Sequence, residues 1–458
     1  QFVSAPGDRR AGDLTSRSVD RRAWCQRIED GYVVILLFAL TQGPVLSLWF
    51  HHTGFDLETP ATAIRITYLM VQLPALVLLG RRFGPLRSLP TPATALACLA
   101  AWMFLSTAWS QARMHTFDEA SALVVTICVG LYLARSFRPE RLAALVLVAM
   151  QPGLLLSEWA SRRSWPAALD FNLDEAWWAG IYLNKNSLGP PAAIGAAAGA
   201  VLLVQALRRR GGLSSRSGMV VLAMVIAYDL RILLLTRSKV SLGALGAAAA
   251  LAVVLMIVHG LGHRRLAFDD GRFAFWTFPV LGAFVGLMVV ANERVSSLFG
   301  RASGFTGRDI YWSETWQAFI DRPVLGWGWL APWHAPAFRD QLPLELLGDT
   351  WSHSAYLDVL AGGGVLAGAL LLAALWSGWS AAVLESISGR TQGAWSLLLV
   401  VFVLIASTQE SFLIGNHFLF VLLVAALCVQ AGPNSEGEGQ CGSDLTSSTM
   451  RPAECPSP

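Results

Sequence analysis

The chain is poor in charge. Only 14% of its 458 residues are charged, whereas soluble globular domains carry about 25%. Hydrophobic residues make up 54% of the chain, and the mean hydropathy is +0.50. This balance excludes a large soluble enzyme and a disordered chain. The net charge of +3 supplies no basic surface for nucleic acid, so we predict no nucleic-acid partner.

Cysteine, lysine and metal-binding motifs are also scarce. The chain has six cysteines, and no pair of them has the spacing of metal ligands. It contains no phosphate-binding loop, and no Asp-x-Asp stands in a predicted outside loop. We therefore predict no structural disulfide, no metal site and no cofactor. The only lysines are Lys185 and Lys239, and every other basic residue is Arg.

Long apolar runs are abundant. About 20 apolar residues in a helix cross the roughly 30 Å hydrocarbon core of a bilayer. This pattern predicts an all-α polytopic integral membrane protein with about twelve transmembrane helices. The predicted spans are 31–50, 62–80, 93–109, 119–135, 141–158, 187–207, 219–236, 240–259, 274–292, 354–376, 394–408 and 413–430.

The distribution of arginine predicts the orientation. Most of these residues fall in the N-terminal segment and in short loops on one side of the predicted bundle. Basic loops stay on the cytoplasmic side, so we expect an inner-membrane protein with both termini in the cytoplasm. The predicted parts are a basic N-terminal segment (1–30), a transmembrane domain (31–430) and a disordered tail (431–458).

Two outside segments, 159–186 and 293–353, are too long for simple connections and hold more than half of the 18 Trp residues. Two interpretations remain open. The rings form an aromatic belt at the membrane interface, or they form flat platforms for sugar rings or lipid. The residues concerned are Trp159, Trp165, Trp177, Trp178, Trp312, Trp316, Trp327, Trp329, Trp333 and Trp351.

The second outside segment has a periodic part. Trp312, Trp316 and Phe319 recur at helical spacing, and Pro323 ends the pattern. Gly326–Trp329 follows as a turn. The pattern predicts an amphipathic helix on the outer membrane face, followed by a re-entrant or lid-like loop.

The topology gathers polar side chains at the outer ends of several spans. Arg guanidinium groups bind oxyanions such as pyrophosphate in a bidentate manner, and a His suits general-base chemistry. Alternatively, each Arg is a membrane anchor and the His is structural. The candidate residues are Lys185, Asn186, Arg237, Lys239, Arg308, His353 and Glu410.

Some charged residues fall inside predicted spans, where burial of charge is expensive; the sequence singles out Arg65, Asp229 and Arg231. Asp229 and Arg231 either pair with other helices or line the site. Arg65, near an outer helix end, is predicted to extend its head group toward the interface.

These motifs resemble the O-antigen ligase and polymerase family. Gly307–Trp312 and then Arg322–Gly328 are similar to its Gly-Arg, Trp and Pro-x-x-Gly-x-Gly loop. Ser352–Leu357, before Gly362–Gly368, resembles its His-Asn-x-x-Leu motif and Gly-rich helix, with Ser354 in place of the Asn.

Two further segments extend the resemblance, which covers about residues 120–425. They are Asn184–Gly189 and Thr236–Lys239, and the first is most similar to the exopolysaccharide polymerase branch.

The resemblance implies a metal-independent, membrane-embedded glycosyltransferase of the C type. Its donor would be a glycan on undecaprenyl pyrophosphate at the outer face, and its acceptor a glycan or lipid. Membrane lipids and other polysaccharide export proteins are further candidate partners. Arg237 and Arg308 would hold the pyrophosphate, and His353 would activate or position the acceptor hydroxyl. Substrate-binding residues are predicted at Lys185, Asn186, Lys239, Trp312 and Glu410.

Polymerase and ligase activities differ only in the acceptor, and both stay open. The main alternative is a transporter that flips a lipid-linked glycan, and a non-catalytic scaffold is a further one. A transporter should place charges near the membrane midplane and show related halves.

Overall fold

The computed structural model describes residues 8–47, 61–83, 90–163, 165, 168–172, 175–182, 184–208, 213–260, 272, 275–283, 286, 308–342, 351–387 and 391–428. The predicted tail therefore lies outside the described residues, as do parts of 274–292 and of 293–353. The principal helices are α1 (Asp8–Leu40), α2 (Ala61–Phe83), α3 (Thr91–Leu105), α4 (Arg113–Ser136), α5 (Pro139–Arg162), α6 (Lys185–Arg208), α7 (Leu213–Thr236), α8 (Lys239–Gly260), α9 (Arg308–Asp321), α10 (Ala355–Ile387), α11 (Thr391–Ala406) and α12 (Phe418–Leu427).

The protein is a polytopic α-helical membrane protein. Among the described residues, seven helices, α2–α7 and α10, are long and apolar enough to cross a membrane. Helices α8, α11 and α12 contain shorter apolar segments. The number twelve stays a prediction, because the ninth predicted span lies only partly within the described ranges.

The first and the last predicted spans differ from the observed helices. Helix α1 begins at Asp8, well before the predicted boundary at residue 31. Helix α12 has only 10 residues, fewer than the roughly 20 of a full crossing, and all of them are buried. A helix surrounded by protein is apolar on every face, so its sequence resembles a span although it belongs to the core.

A loop between α9 and α10 packs against a break in α10. We call residues 323–335 the docked loop. Its main chain contains the 3-10 turn Pro332–His334, and a helical turn follows at Pro336–Arg339. Three main-chain hydrogen bonds join the docked loop to α10: Trp327 N–H to the Ala361 carbonyl (2.9 Å), Gly328 N–H to the Gly362 carbonyl (2.9 Å) and Val365 N–H to the Pro323 carbonyl (2.8 Å).

Glycine permits this close contact. Helix α10 is broken at Gly364, which has φ 69° and ψ −167°. A Cβ atom there would lie 2.2 Å from the carbonyl oxygen of Val324, and a Cβ atom on Gly326 would lie 2.4 Å from that of Gly362. The Pro-x-x-Gly-x-Gly motif and the Gly-rich helix motif therefore pack against each other, backbone to backbone. The loop is built into its contact with α10, and its re-entrant or lid-like character stays a prediction.

The tryptophans of this region divide into two groups. Trp327, Trp329 and Trp333 are 5%, 1% and 2% exposed, so they are core residues and neither platforms nor belt residues. Trp159 and Trp316 are 59% and 47% exposed, which agrees with an interfacial belt. The sequence did not separate the two groups, because the residue type alone does not tell which neighbouring segment a Trp ring packs against.

Helix α9 is present and ends before Pro323, as predicted, but its buried face is shifted by one residue. Thr315 and Ala318 are buried, whereas Trp316 is half-exposed. The indole Nε1 of Trp327 donates a hydrogen bond to the carbonyl of Ala318 at 2.7 Å. Small side chains let the docked loop approach the helix, so they occupy the face where the sequence predicted aromatic rings.

The first outside segment contains an unpredicted hairpin. Strands β1 (Leu169–Asn172) and β2 (Glu175–Trp178) pair antiparallel, and the 3-10 turn Gly180–Tyr182 follows. Helix α5 continues to Arg162, so the irregular segment is shorter than predicted.

Charges inside the spans pair with neighbouring helices. Asp229 is fully buried, and both of its oxygens accept from Nε2 of Gln151 at 3.2 Å. Arg231 forms an ion pair with Glu158. Both partners, Gln151 and Glu158, lie on α5. Of the two alternatives, Asp229 and Arg231 therefore pair with another helix.

Arg65 has a partner that the sequence did not predict. It forms an ion pair with Asp118 on α4, and the two side chains are 47% and 26% exposed. Exposed pairs of this kind contribute at most about 1 kcal/mol. Arg65 therefore links α2 to α4 as a surface ion pair.

Candidate active site

Glu410 joins the ends of several helices. It lies between α11 and α12, and its side chain is 13% exposed. Its Oε1 accepts hydrogen bonds from Arg308, at the start of α9, and from Nδ2 of Asn186, at the start of α6 (2.9 Å). Its Oε2 lies 3.3 Å from Nδ1 of His353, immediately before α10. We call Asn186, Arg308, His353 and Glu410 the Glu410 site.

These contacts bring together residues separated by more than 200 positions in the chain. The sequence placed all four at the same end of the bundle, and the contacts agree with that placement. Asn186 and Arg308 stand on the first turns of α6 and α9, and His353 lies two residues before α10, so their side chains meet where the helix ends converge. An ionised Glu410 balances the charge of Arg308 and offers an acceptor to a protonated His353 Nδ1.

The turn between α7 and α8 reaches the site through Ser238. Its Oγ donates to Oδ1 of Asn186 at 3.0 Å, and the residue is fully buried. The predicted neighbours Arg237 and Lys239 are exposed on either side of it, and Arg237 has a left-handed backbone with φ 50°. Sequence reasoning selected the two cations and missed the serine between them, because a Thr-Arg-Ser-Lys run does not reveal which side chain points inward.

Two aromatic rings flank His353. The Tyr311 ring centroid lies 5.3 Å from that of the imidazole, nearly perpendicular to it, and the Trp351 centroid lies at 6.3 Å. Trp351 is 40% exposed, so one of its surfaces is accessible. The sequence singled out Trp312, which is half-buried on α9, one turn after Arg308.

Lys185 lies beside the hairpin. Its Nζ is 3.1 Å from the ring centroid of Trp177 on β2, a cation–π contact, and both side chains are half-buried. Lys185 immediately precedes Asn186 on α6, so the cation stands next to the Glu410 site. The hairpin therefore helps to position one of the predicted phosphate contacts.

A second buried carboxylate supports the site from within the bundle. Asp358, on the first turn of α10, is 4% exposed. One of its oxygens accepts from the N–H of Ser352 at 3.0 Å, and the other accepts from the hydroxyl of Ser411. These two serines adjoin His353 and Glu410. None of the three was predicted, because hydroxyl and carboxyl residues near helix ends are common.

Ser354 stands where the resembling family has Asn. It immediately precedes α10, and its carbonyl accepts from the N–H of Asp358 at 3.0 Å. Serine and asparagine are both favoured at helix N-caps. The substitution therefore preserves a residue type suited to starting this helix.

An apolar cavity of about 790 Å³ lies within the bundle, and the four residues of the Glu410 site are not among those that line it. Its wall comes from α10, from the end of α11 and from Phe278, Leu281, Gly282 and Gly286, and leucine, valine and glycine predominate in it. Tyr356 and Thr408 also line it, three residues from His353 and two from Glu410. This volume is within the range of small-molecule sites. Gly282 and Gly286 in its wall leave room that larger side chains would fill, because a Cβ atom there meets nothing within 4 Å.

Residues 212–372 are similar to the family model described as O-antigen ligase. The match is narrower than the span of the sequence motifs, and no curated protein matches the chain.

The matched residues 212–372 hold most of the predicted cations of the site. Among them are Arg237, Lys239, Arg308, Trp312 and His353. Lys185, Asn186 and Glu410 lie outside the matched residues and reach the site through α6 and the α11–α12 connection. The match supports a role in polysaccharide assembly, with lipid-linked glycans as the class of substrate.

Proposed function

We propose that this chain transfers a glycan from undecaprenyl pyrophosphate to an acceptor hydroxyl at the outer face of the inner membrane, and so polymerises or ligates a surface polysaccharide. The observation that carries the proposal is the shared carboxylate: Glu410 contacts both Arg308 and His353. It holds a candidate oxyanion ligand and a candidate base side by side.

The proposed reaction breaks one bond and forms one. His353 accepts the proton of the acceptor hydroxyl, and that oxygen attacks the anomeric carbon of the donor. The bond from this carbon to the pyrophosphate oxygen breaks, and lipid pyrophosphate leaves with the electron pair. Arg308 and Arg237 stabilise its negative charge, and Glu410 stabilises the imidazolium. Because the pyrophosphate is already a good leaving group, positioning and charge neutralisation carry most of the catalysis.

Two features support substrates of this kind. The apolar cavity lined by α10 and the end of α11 suits a polyprenyl chain, because almost all of its wall is hydrocarbon. The accessible ring of Trp351 suits an apolar sugar face beside the base. The orientation, with this end of the bundle outside, follows from the arginine distribution.

The test is the length profile of surface and lipid-linked polysaccharide in a host that lacks this gene. Wild type, His353→Ala and Arg308→Ala are compared, each checked for membrane insertion and abundance. We expect both variants to insert normally and to lose about 10²-fold or more of the activity. Arg65→Ala is the matched control, because its ion pair is exposed and lies on α2.

The profile also separates the alternatives. Accumulation of single lipid-linked units indicates a polymerase. Long lipid-linked chains that never reach the final acceptor indicate a ligase. Full activity of both His353→Ala and Arg308→Ala would refute the proposed site, and an unchanged profile in the deletion host would favour transport or scaffolding.

A further inference from the structure

Asp358 holds the two segments that meet in the Glu410 site. Its Oδ1 accepts from the N–H of Ser352, the residue before His353, at 3.0 Å. Its Oδ2 accepts from the hydroxyl of Ser411, the residue after Glu410. The Asp358 carboxylate therefore fixes the main chain of Ser352, next to His353. It also fixes the side chain of Ser411, next to Glu410.

This arrangement goes beyond an ordinary helix cap. A capping residue reaches the N–H at the start of its own helix. Helix α10 begins at Ala355, and Asp358 reaches back past that start to Ser352. The turn that it closes contains His353, so the hydrogen bond acts on the position of the imidazole.

The backbone of His353 needs such support. Its φ of 57° lies in the left-handed region, which residues with a side chain rarely adopt. Ser352 Oγ donates to the Ser354 carbonyl at 2.9 Å, and Ser354 N–H lies 3.1 Å from the same hydroxyl. The N–H of Ala355 donates to the carbonyl of Ser407, which ties the turn to the end of α11.

We infer that Asp358 is a positioning residue for the proposed transfer: it sets the 3.3 Å contact between His353 Nδ1 and Glu410 Oε2. The inference rests on the proposed function. Asp358 does not contact either catalytic side chain through its own carboxylate. It acts through Ser352 and Ser411, and its loss displaces His353 and Glu410 relative to each other.

The first experiment measures His353 directly and requires no glycan substrate. Purified full-length wild type and Asp358→Asn are treated with diethyl pyrocarbonate, and carbethoxylation of each histidine is followed by mass spectrometry. Asn keeps the size of Asp but has one acceptor oxygen in place of two, so one segment is released. We expect His353 to react about tenfold faster in the variant, with the rates at His115 and His334 unchanged.

The second experiment measures polysaccharide synthesis in the deletion host. Asp358→Asn should lower the rate of chain growth by about 10–100-fold at normal abundance. Ser411→Ala should lower it by less, and Ser411→Thr, which keeps the hydroxyl, should restore part of the loss. Asp321→Asn is the control, because Asp321 is an exposed acid at the end of α9.

Each outcome decides the matter. An unchanged His353 labelling rate in Asp358→Asn, or full activity of that variant, overturns the inference. Faster labelling of all three histidines shows a general loss of structure and also overturns it. An inactive His353→Ala beside a fully active Asp358→Asn refutes this inference alone, whereas an active His353→Ala refutes the proposed site.

Discussion

The docked loop joins α10 through three main-chain hydrogen bonds and buried Trp rings, whereas the Glu410 site is joined through carboxylate, guanidinium, amide and imidazole groups. In the loop, the contacts with α10 run between backbones, and glycine allows them to touch. At the site, polar side chains make the contacts that bring Asn186, Arg308, His353 and Glu410 together.

This difference separates stability from activity. Backbone contacts that are covered by apolar rings exclude water, and their close packing leaves almost no space for a larger side chain. Polar side chains at 13–25% exposure remain in reach of solvent and of a ligand, so they can exchange partners. We therefore expect substitutions in the loop to act on folding and substitutions at the site to act on the reaction.

The largest effect is expected from Gly364→Ala. The new methyl group would stand 2.2 Å from the Val324 carbonyl, on a backbone that side chains rarely adopt. We expect a loss of about 3 kcal/mol or more of stability, seen as aggregation or a lowered thermal transition of the purified protein. Gly246→Ala on α8 is the control, because a Cβ there meets nothing within 4 Å. Equal behaviour of the two variants would contradict the proposed tight contact.

A second substitution tests the other half of the comparison. Glu410→Gln keeps the side-chain size and removes the charge shared by Arg308 and His353. We expect about a 100-fold loss of transfer with little change in the thermal transition. Glu140→Gln on α5 serves as the control for loss of a carboxylate. If Glu410→Gln destabilised the protein as strongly as Gly364→Ala, the separation between stability and activity would not hold.

The smallest effect is expected at the edge of the site. Lys185→Gln removes the cation that Trp177 holds, while leaving the Glu410 contacts in place. We expect the KM for the lipid-linked donor, isolated from the deletion host, to rise about three- to tenfold at nearly constant kcat. Lys239→Gln, which removes the lysine at the start of α8, provides the comparison. A fall in kcat without a change in KM would assign Lys185 a role in the reaction step.

Much of the framework could be predicted from the sequence. Apolar run length predicts most of the helices, and Pro323 predicts the end of α9. Positive-inside counting predicts that Asn186, Arg308, His353 and Glu410 share one end of the bundle, and the contacts agree. These predictions succeed because bilayer thickness and proline stereochemistry act locally along the chain.

The remaining features depend on the directions in which side chains point, and the periodicity of hydrophobic residues in the sequence does not encode these directions. Trp329 is buried and Trp316 is half-exposed, and the docking of the loop against α10 accounts for the burial of Trp329. Ser238, rather than its charged neighbours, contacts Asn186, because the turn at Arg237 adopts a left-handed backbone. The hairpin at 169–178 was missed, because two strands of four residues carry too little pattern to compete with a loop assignment.

The break at Gly364 also constrains how the protein is made. Within a bilayer, every main-chain N–H and carbonyl needs a partner, and α10 obtains several of its partners from the docked loop. The loop precedes α10 in the chain, so the ribosome completes it before α10 leaves the exit tunnel. The N–H of Trp329 in the loop also donates to the hydroxyl of Ser106, which belongs to a still earlier segment. The order of synthesis therefore supplies α10 with its partners in advance, and a circular permutation that placed α10 ahead of the loop would insert an incomplete helix.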